Sequence, residues 1–445
     1  MRIMPATAII LAAGLGTRMK SALPKAAHPI GGRPMLAHLI ASAEARFDRI
    51  VVVVGPGMEA LEAIAAPHPT VVQTDRLGTA HAARMAEALF GEGDVAILYA
   101  DNPLITPATL SRLREARGSA DLVLLAMRPA DPGRYGRVVV EDGQVRRIVE
   151  WADASEAERA IGLCNAGVIC AEAAALRRWL AAVGCDNAKG EYYLTDAIAA
   201  ASAEGARVEA VEAPEAELRG VNSRAELAAA EATFQQVMRE TAMEAGVSLR
   251  APETVFFSYD TVLGPDVVVH PNVVFGPGVT VHGPAEIRSF SHLEGCEVRA
   301  GALVGPFARL RPATVVGEGA HVGNFVELKA TELGAGAKAN HLAYLGDASI
   351  GANSNIGAGT ITCNYDGTFK HRTTIGADVF VGSDSVLVAP VSLGDDSLIA
   401  AGSVITRSVS PGALAFGRAQ QTELEGRGAA LKQSLRARKA NKETV

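Results

Sequence analysis

Cysteine is scarce in this chain, with five in 445 residues, and the five (Cys164, Cys170, Cys185, Cys296 and Cys363) form no C-x-x-C pair. An odd number in apolar or glycine-rich contexts gives no sign of a disulfide framework and points to reduced thiols in a cytoplasm. No apolar run approaches the roughly 18 residues that a membrane helix needs, so no membrane partner is expected. The opening MRIMPATAIILAAG has an apolar stretch but no small-residue cleavage site, and it runs straight into a glycine loop. It reads as a buried first strand rather than a signal peptide. An excess of positive charge is also missing. The net charge of -7 argues against nucleic acid as a partner. The last 19 residues are the exception, carrying Arg427, Lys432, Arg436, Arg438, Lys439 and Lys442 against Glu443. Such a basic tail reads as solvated.

What the chain has in quantity is apolar residue, at 49%, over a length that favours about two or three domains, with two as the working number. Residues 1–222 alternate short β-rich runs such as TAIILAA, RIVVVVG and DVAILYA with alanine-rich amphipathic stretches. This is α/β grammar, which predicts a mostly parallel sheet with helices on both faces. Residues 223–246 open on a capping box, Ser223 with Glu226, and continue as a strong helix former, which makes them the linker.

From 247 to 445 the grammar changes. Aliphatic or aromatic residues recur every six positions at Leu263, Val269, Phe275, Val281, Ile287 and Leu293. The register resumes at Val304, Leu310, Val316, Val322 and Leu328, then at Ile375, Val381, Leu387, Leu393, Ile399 and Ile405. Six is neither a helix nor a strand period. It predicts a parallel β-helix whose aliphatic side chains stack from coil to coil. A glycine-rich linker would have no reason to keep that register. The register breaks at 329–349 and 362–374, which are expected to be surface loops carrying function. Exposed flanks also favour side-by-side association.

The first half presents Leu11-Ala12-Ala13-Gly14 followed by Arg18, then Pro24-Lys25, Gln73, Gly78-Thr79 and Tyr99-Ala100-Asp101. Gly136, Glu150, Asn165-Ala166-Gly167 and Glu191-Tyr-Tyr-Leu-Thr-Asp196 follow. Glycines after a first strand let backbone N–H groups approach phosphate. In order and spacing this set resembles the sugar-nucleotide pyrophosphorylases, most of all those that join UTP to N-acetylglucosamine 1-phosphate. The resemblance implies that residues 11 to 14, Gln73, Gly78 and Thr79 hold the nucleotide, Lys25 its phosphates, and Gly136, Glu150 and Asn165 the sugar. It adds Asn222 to Asp101 as a ligand of Mg2+. The chemistry agrees: a sugar phosphate, with a second pKa near ~6 and so already a dianion at neutral pH, must meet a triphosphate, which calls for cations and a hard metal rather than a base. Leu15 departs from the family, where lysine is common, and so do Asn102 and Ala166.

The second half carries Arg311-Pro312, Glu327-Leu-Lys329, Asn340-His341-Leu-Ala-Tyr344, Asn355, Ala358 and Cys363-Asn364-Tyr365. These resemble the acetyltransferase half of the bifunctional bacterial enzyme of UDP-N-acetylglucosamine synthesis, a supplier of peptidoglycan and lipopolysaccharide precursor. The fold implied is a left-handed β-helix of hexapeptide repeats behind a Rossmann-like nucleotidyltransferase domain, and the partner implied is a second and third copy of the chain in a homotrimer. Acetylating glucosamine 1-phosphate needs a neutral amine, so a base is required, and His341 is the candidate, with Glu327 to orient it. By resemblance Arg311 and Lys329 take the phosphate, Tyr344 and Asn355 the sugar, and Ala358, Asn364, Tyr365, Ser383, Ala401 and Arg418 acetyl-CoA. Two alternatives stay open: an adenylyl- or guanylyltransferase with a non-catalytic β-helix, and a scaffold that has lost chemistry.

Overall fold

The computed structural model describes residues 5–442. The first four residues of the apolar N-terminal stretch, and Glu443 of the tail, lie outside them. The chain separates into two compact units, one of residues 1–244 with 256–261, the other of residues 245–255 with 262–445.

The first unit is built on a mixed sheet. Its strands run in the order Val208–Glu212, Leu122–Met127, Cys164–Glu172, Asp94–Tyr99, Ala6–Leu11, Arg49–Val54 and Thr70–Val72. Only Cys164–Glu172 runs antiparallel to both neighbours along this path. The first strand shows why the sheet needs helices on each face. Ala8 and Ile10 enter one core with Leu36, Leu39 and Leu110, whereas Ile9 enters another with Phe90, Trp179 and Ile198. Successive side chains of a strand point to opposite faces, so a run apolar throughout must be covered twice. The long helix Arg224–Glu244 belongs to this unit. Its start differs from the expected capping box in one arm. The Glu226 N–H does donate to Ser223 Oγ at 3.2 Å, but Glu226 Oε2 accepts from the N–H of Asn222 rather than of Ser223.

The second unit is a left-handed parallel β-helix of three sheets, with ten, eight and eight strands among the described residues. Leu263, Val281, Val298, Val316, Leu333, Ile350, Ile375 and Leu393 stack in one sheet, each in register with the next. The register overturns one expectation. Residues 329–349 are no loop but regular coil, with strands Glu332–Leu333, Lys338–His341, Tyr344–Gly346 and Ala348–Ile350. The six-residue pattern fails there for a local reason. Leu333 and Ile350 come one residue early after Leu328 and Leu345, and Ala339 stacks where a larger aliphatic was expected. The break after Thr362 is real. Thr362 still holds its interior place, bonded through Oγ1 to the Gly346 backbone, and the coil bulges out between Cys363 and Thr373.

All five cysteines are free thiols, and burial pushes those of Cys170 and Cys296 up to about 12. The helix Arg427–Lys442 carries the basic tail, exposed as far as Ala440.

Candidate functional site

A cavity of about 320 Å3 opens at the C-terminal end of the central strands of the first unit. Open α/β sheets bind ligands at that end because the strand-to-helix turns leave backbone N–H groups unpaired there. Leu11, Ala12, Ala13, Gly14, Lys25, Gln73, Gly78, Thr79, Tyr99, Ala100 and Asp101 all line it. Arg18 does not, and stands exposed on the turn Thr17–Met19.

Each wall has a local cause. Gly78 adopts φ +119°, and a Cβ there would lie 2.5 Å from the Tyr192 carbonyl oxygen, so only glycine lets the two segments approach. Thr79 completes the junction, its Oγ1 accepting from the Leu194 N–H at 2.9 Å. Gln73, buried, donates from Nε2 to the Gly78 carbonyl at 3.0 Å, which fixes its amide at the cavity wall. Burial raises the Tyr99 phenol well above its usual range, so it stays protonated.

Asp101 and Asn222 converge. Their Oδ2 and Oδ1 oxygens lie 2.5 and 2.9 Å from the same Lys25 ammonium. The Val221 N–H donates to the Asp101 carbonyl at 2.8 Å, and Glu226 fixes the Asn222 N–H, so the two segments are locked together by backbone. Two hard oxygen donors aimed at one cation fit Mg2+ with its remaining positions left to water and phosphate. No group of three or more His, Cys, Asp or Glu side chains among the described residues forms a closed metal cage.

Gly136, Glu150 and Asn165 also meet. The Asn165 N–H donates to the Gly136 carbonyl at 2.9 Å, and a Cβ on Gly136 would come within 3.5 Å of Glu150 Oε1. Burial raises the Glu150 carboxyl, opposed by the Thr195 hydroxyl that donates to it at 3.3 Å. Asn102 is buried and donates to the Leu218 carbonyl, and Ala166 is buried on the strand Cys164–Glu172. Four wall residues escaped the sequence reading: the alanines Ala26 and Ala82, and two charged side chains, Arg76, three places after Gln73, and Glu191, the first residue of a motif noted for other reasons.

In the β-helix, His341 closes a regular strand and pairs in register with Asn324 one coil earlier. Its Nδ1 lies 2.9 Å from Asn324 Oδ1. An amide oxygen only accepts, so Nδ1 carries the proton and Nε2 offers a lone pair. Glu327 therefore does not orient His341. It accepts from Arg311 at 2.8 Å instead, being in register with Arg309 and Tyr344 on the next sheet.

The parallel register carries His341 onto Ala358, Ser383 and Ala401 in successive coils, through Ala339↔Ile356, Ile356↔Val381 and Val381↔Ile399. Backbone bonds confirm the column: Gly359 N–H to Leu342, Asp384 N–H to Ala358 and Gly402 N–H to Ser383. Arg418 ends it, donating to the Ala401 carbonyl at 2.7 Å. Next to this column Lys329 is in register with Gly346, over which the Tyr344 hydroxyl sits. Asn364 donates to Asp347 at 2.5 Å, Tyr365 is exposed in the bulge, and Asn355 lies in register with Lys338. The bulge also brings Lys370 to Lys329, and that ammonium holds Lys329 below its usual range. Neither Lys370 nor Asn324 was legible, because each meets its partner across coils.

A nucleotide-cavity α/β unit and a β-helix bearing an oriented histidine define a two-site transferase. Residues 8–236 match the MobA-like NTP transferase domain and residues 372–407 the hexapeptide repeat of succinyl-transferase. The chain is 67% identical to a Gluconacetobacter diazotrophicus protein called bifunctional protein GlmU, over 98% of this chain and 96% of that one. Proteins of the same name from Gluconobacter oxydans and Acidiphilium cryptum are 66% and 63% identical, with 97% and 96% of this chain covered and 98% of each relative. The chain belongs to this family of bifunctional transferases.

Proposed function

We infer that the chain makes UDP-N-acetylglucosamine in two steps, acetylating glucosamine 1-phosphate with acetyl-CoA and then transferring UMP from UTP to the product. The observation that carries this reading is the column Asn324, His341, Ala358, Ser383, Ala401, in which a histidine held through Nδ1 by Asn324 stands in line with residues of three further coils.

In the first step Nε2 of His341 takes a proton from the sugar ammonium, and the freed nitrogen attacks the thioester carbonyl. As the adduct collapses the nitrogen sheds its second proton to become the amide, and the thiolate of CoA leaves and takes that proton up. Arg311, Lys329 and Lys370 hold the sugar phosphate, Tyr344 and Asn355 its ring, and Asn364, Tyr365 and Arg418 the coenzyme. In the second step an oxygen of N-acetylglucosamine 1-phosphate attacks the α-phosphorus of UTP and pyrophosphate leaves. The glycine loop, Gln73 and Gly78-Thr79 hold the nucleotide, Lys25 its phosphates, and Gly136, Glu150 and Asn165 the sugar. Asp101 and Asn222 would hold Mg2+, whose contribution is to offset charge where two anions meet.

Mass spectrometry of products from glucosamine 1-phosphate, acetyl-CoA, UTP and Mg2+, each omitted in turn, tests the whole. UDP-N-acetylglucosamine is expected only from the complete set, and supplying pre-acetylated sugar should remove the need for acetyl-CoA. A nucleotide sugar formed with ATP or GTP instead, and no acetylation, would favour the non-catalytic β-helix.

The chain acts as a homotrimer in the cytoplasm. Reduced thiols support the compartment, and an exposed apolar ladder supports assembly. Phe290, Phe307, Phe325 and Leu342 stand on successive coils, with ring centroids 4.9 and 5.1 Å apart along the three phenylalanines. All four sit at positive φ, between 50° and 62°. A bulky side chain there costs about 1 to 2 kcal/mol of backbone strain, and leaving it in water recovers nothing. Phe307→Asp should shift the protein from trimer to monomer in light scattering. A variant that stays trimeric would place the contact elsewhere.

A further inference from the structure

The nucleotide cavity is short of free positive charge for a ligand that carries a triphosphate. Its wall holds two basic side chains, Lys25 and Arg76. Lys25 is already bonded to Asp101 and Asn222. Leu15, in the glycine loop, carries no charge, and Arg18 lies off the wall. That leaves Arg76.

Its placement is built. Nε donates to the Ala13 carbonyl at 2.8 Å, which ties Arg76 to the glycine loop. The guanidinium rests in a notch left by Gly55, where a Cβ would lie 2.4 Å from its Nη2. This seat uses one of the five N–H donors, and no carboxylate among the described residues forms an ion pair with the group. A guanidinium fixed by Nε alone presents its remaining planar fork, which matches two phosphate oxygens.

We propose that Arg76 is a phosphate-binding residue of the nucleotide pocket, contacting the triphosphate and supplying the cationic charge that Leu15 does not. The assignment rests on the uridylyl-transfer reading above. A residue that merely joined two loops would need the Nε bond and the Gly55 notch but no open fork. A lysine at the same place would keep the charge and lose the fork, so the two parts of the contact separate experimentally.

Titration calorimetry of the full chain with UTP and Mg2+, alongside saturation-transfer NMR with uridine, tests it. Arg76→Gln should weaken UTP about tenfold to a hundredfold, the span of one or two charge-assisted hydrogen bonds. Arg76→Lys should weaken it less, uridine binding should be unchanged, and acetyl transfer in the same samples should be intact. Unchanged UTP affinity overturns the proposal. So does an equal loss for uridine and UTP, which would mean that Arg76 holds the loop or the base. Failure of the unsubstituted chain to bind UTP would instead sink the uridylyl-transfer reading itself.

Discussion

His341→Ala should abolish acetyl transfer and leave uridylyl transfer near the unsubstituted rate. A general base contributes about a hundredfold to ten-thousandfold, and no second histidine or carboxylate takes the place of Nε2 in the column that runs to Ala401. The fold should tolerate the change. His341 is exposed and so is its Nδ1 bond to Asn324, so removing the imidazole strands no buried polar group. Separate assays of free CoA thiol and of pyrophosphate read the two activities. Acetylation that persists within tenfold would remove His341 as the base. Loss of both activities in a chain with an unchanged melting curve would contradict two independent sites.

Asp101→Ala is the converse. It removes one of two oxygens that converge on a cation, and the expected loss of uridylyl transfer is on the order of a thousandfold, with acetyl transfer unchanged. A second readout is independent of turnover. Mn2+ binding followed by electron paramagnetic resonance, in the presence of UTP, should weaken in the variant, because Asn222 alone is a neutral ligand. Pyrophosphate release at the original rate, or unaltered Mn2+ affinity, would move the metal away from Asp101. The substitution also takes the carboxylate partner from Lys25, whose side chain is 17% exposed, and leaves its ammonium bonded to Asn222 Oδ1, so a melting curve of the variant accompanies the assay.

The glycine loop and Asp101 were legible in the sequence because each follows directly on a strand, whereas Gln73 and Gly78-Thr79 were legible only through the family resemblance; all of them line the cavity. The hexapeptide register was legible wherever a large aliphatic side chain fell six residues after the last. It was lost at 329–349 because a coil that shortens by one residue, at Leu333 and Ile350, still stacks in three dimensions while breaking a count along one. His341 was expected in an inserted loop and stands on a regular coil instead. Its orienting partner was misassigned for a related reason. Glu327 is the nearer acid in the motif, yet the register brings Asn324 to His341 and Glu327 to Arg311.

By itself the sequence determined that two folds with different periods follow one another along the chain, and which residue types each chemistry requires. Those are matters of local repeat and of composition, which a chain states directly. Only the tertiary structure decided which groups meet: Lys25 between Asp101 and Asn222, Arg76 on Ala13, Asn324 on His341, Lys370 on Lys329. Partners at such separations leave no mark on spacing, because it is the sheet register and the crossing of distant loops that bring them within a hydrogen bond.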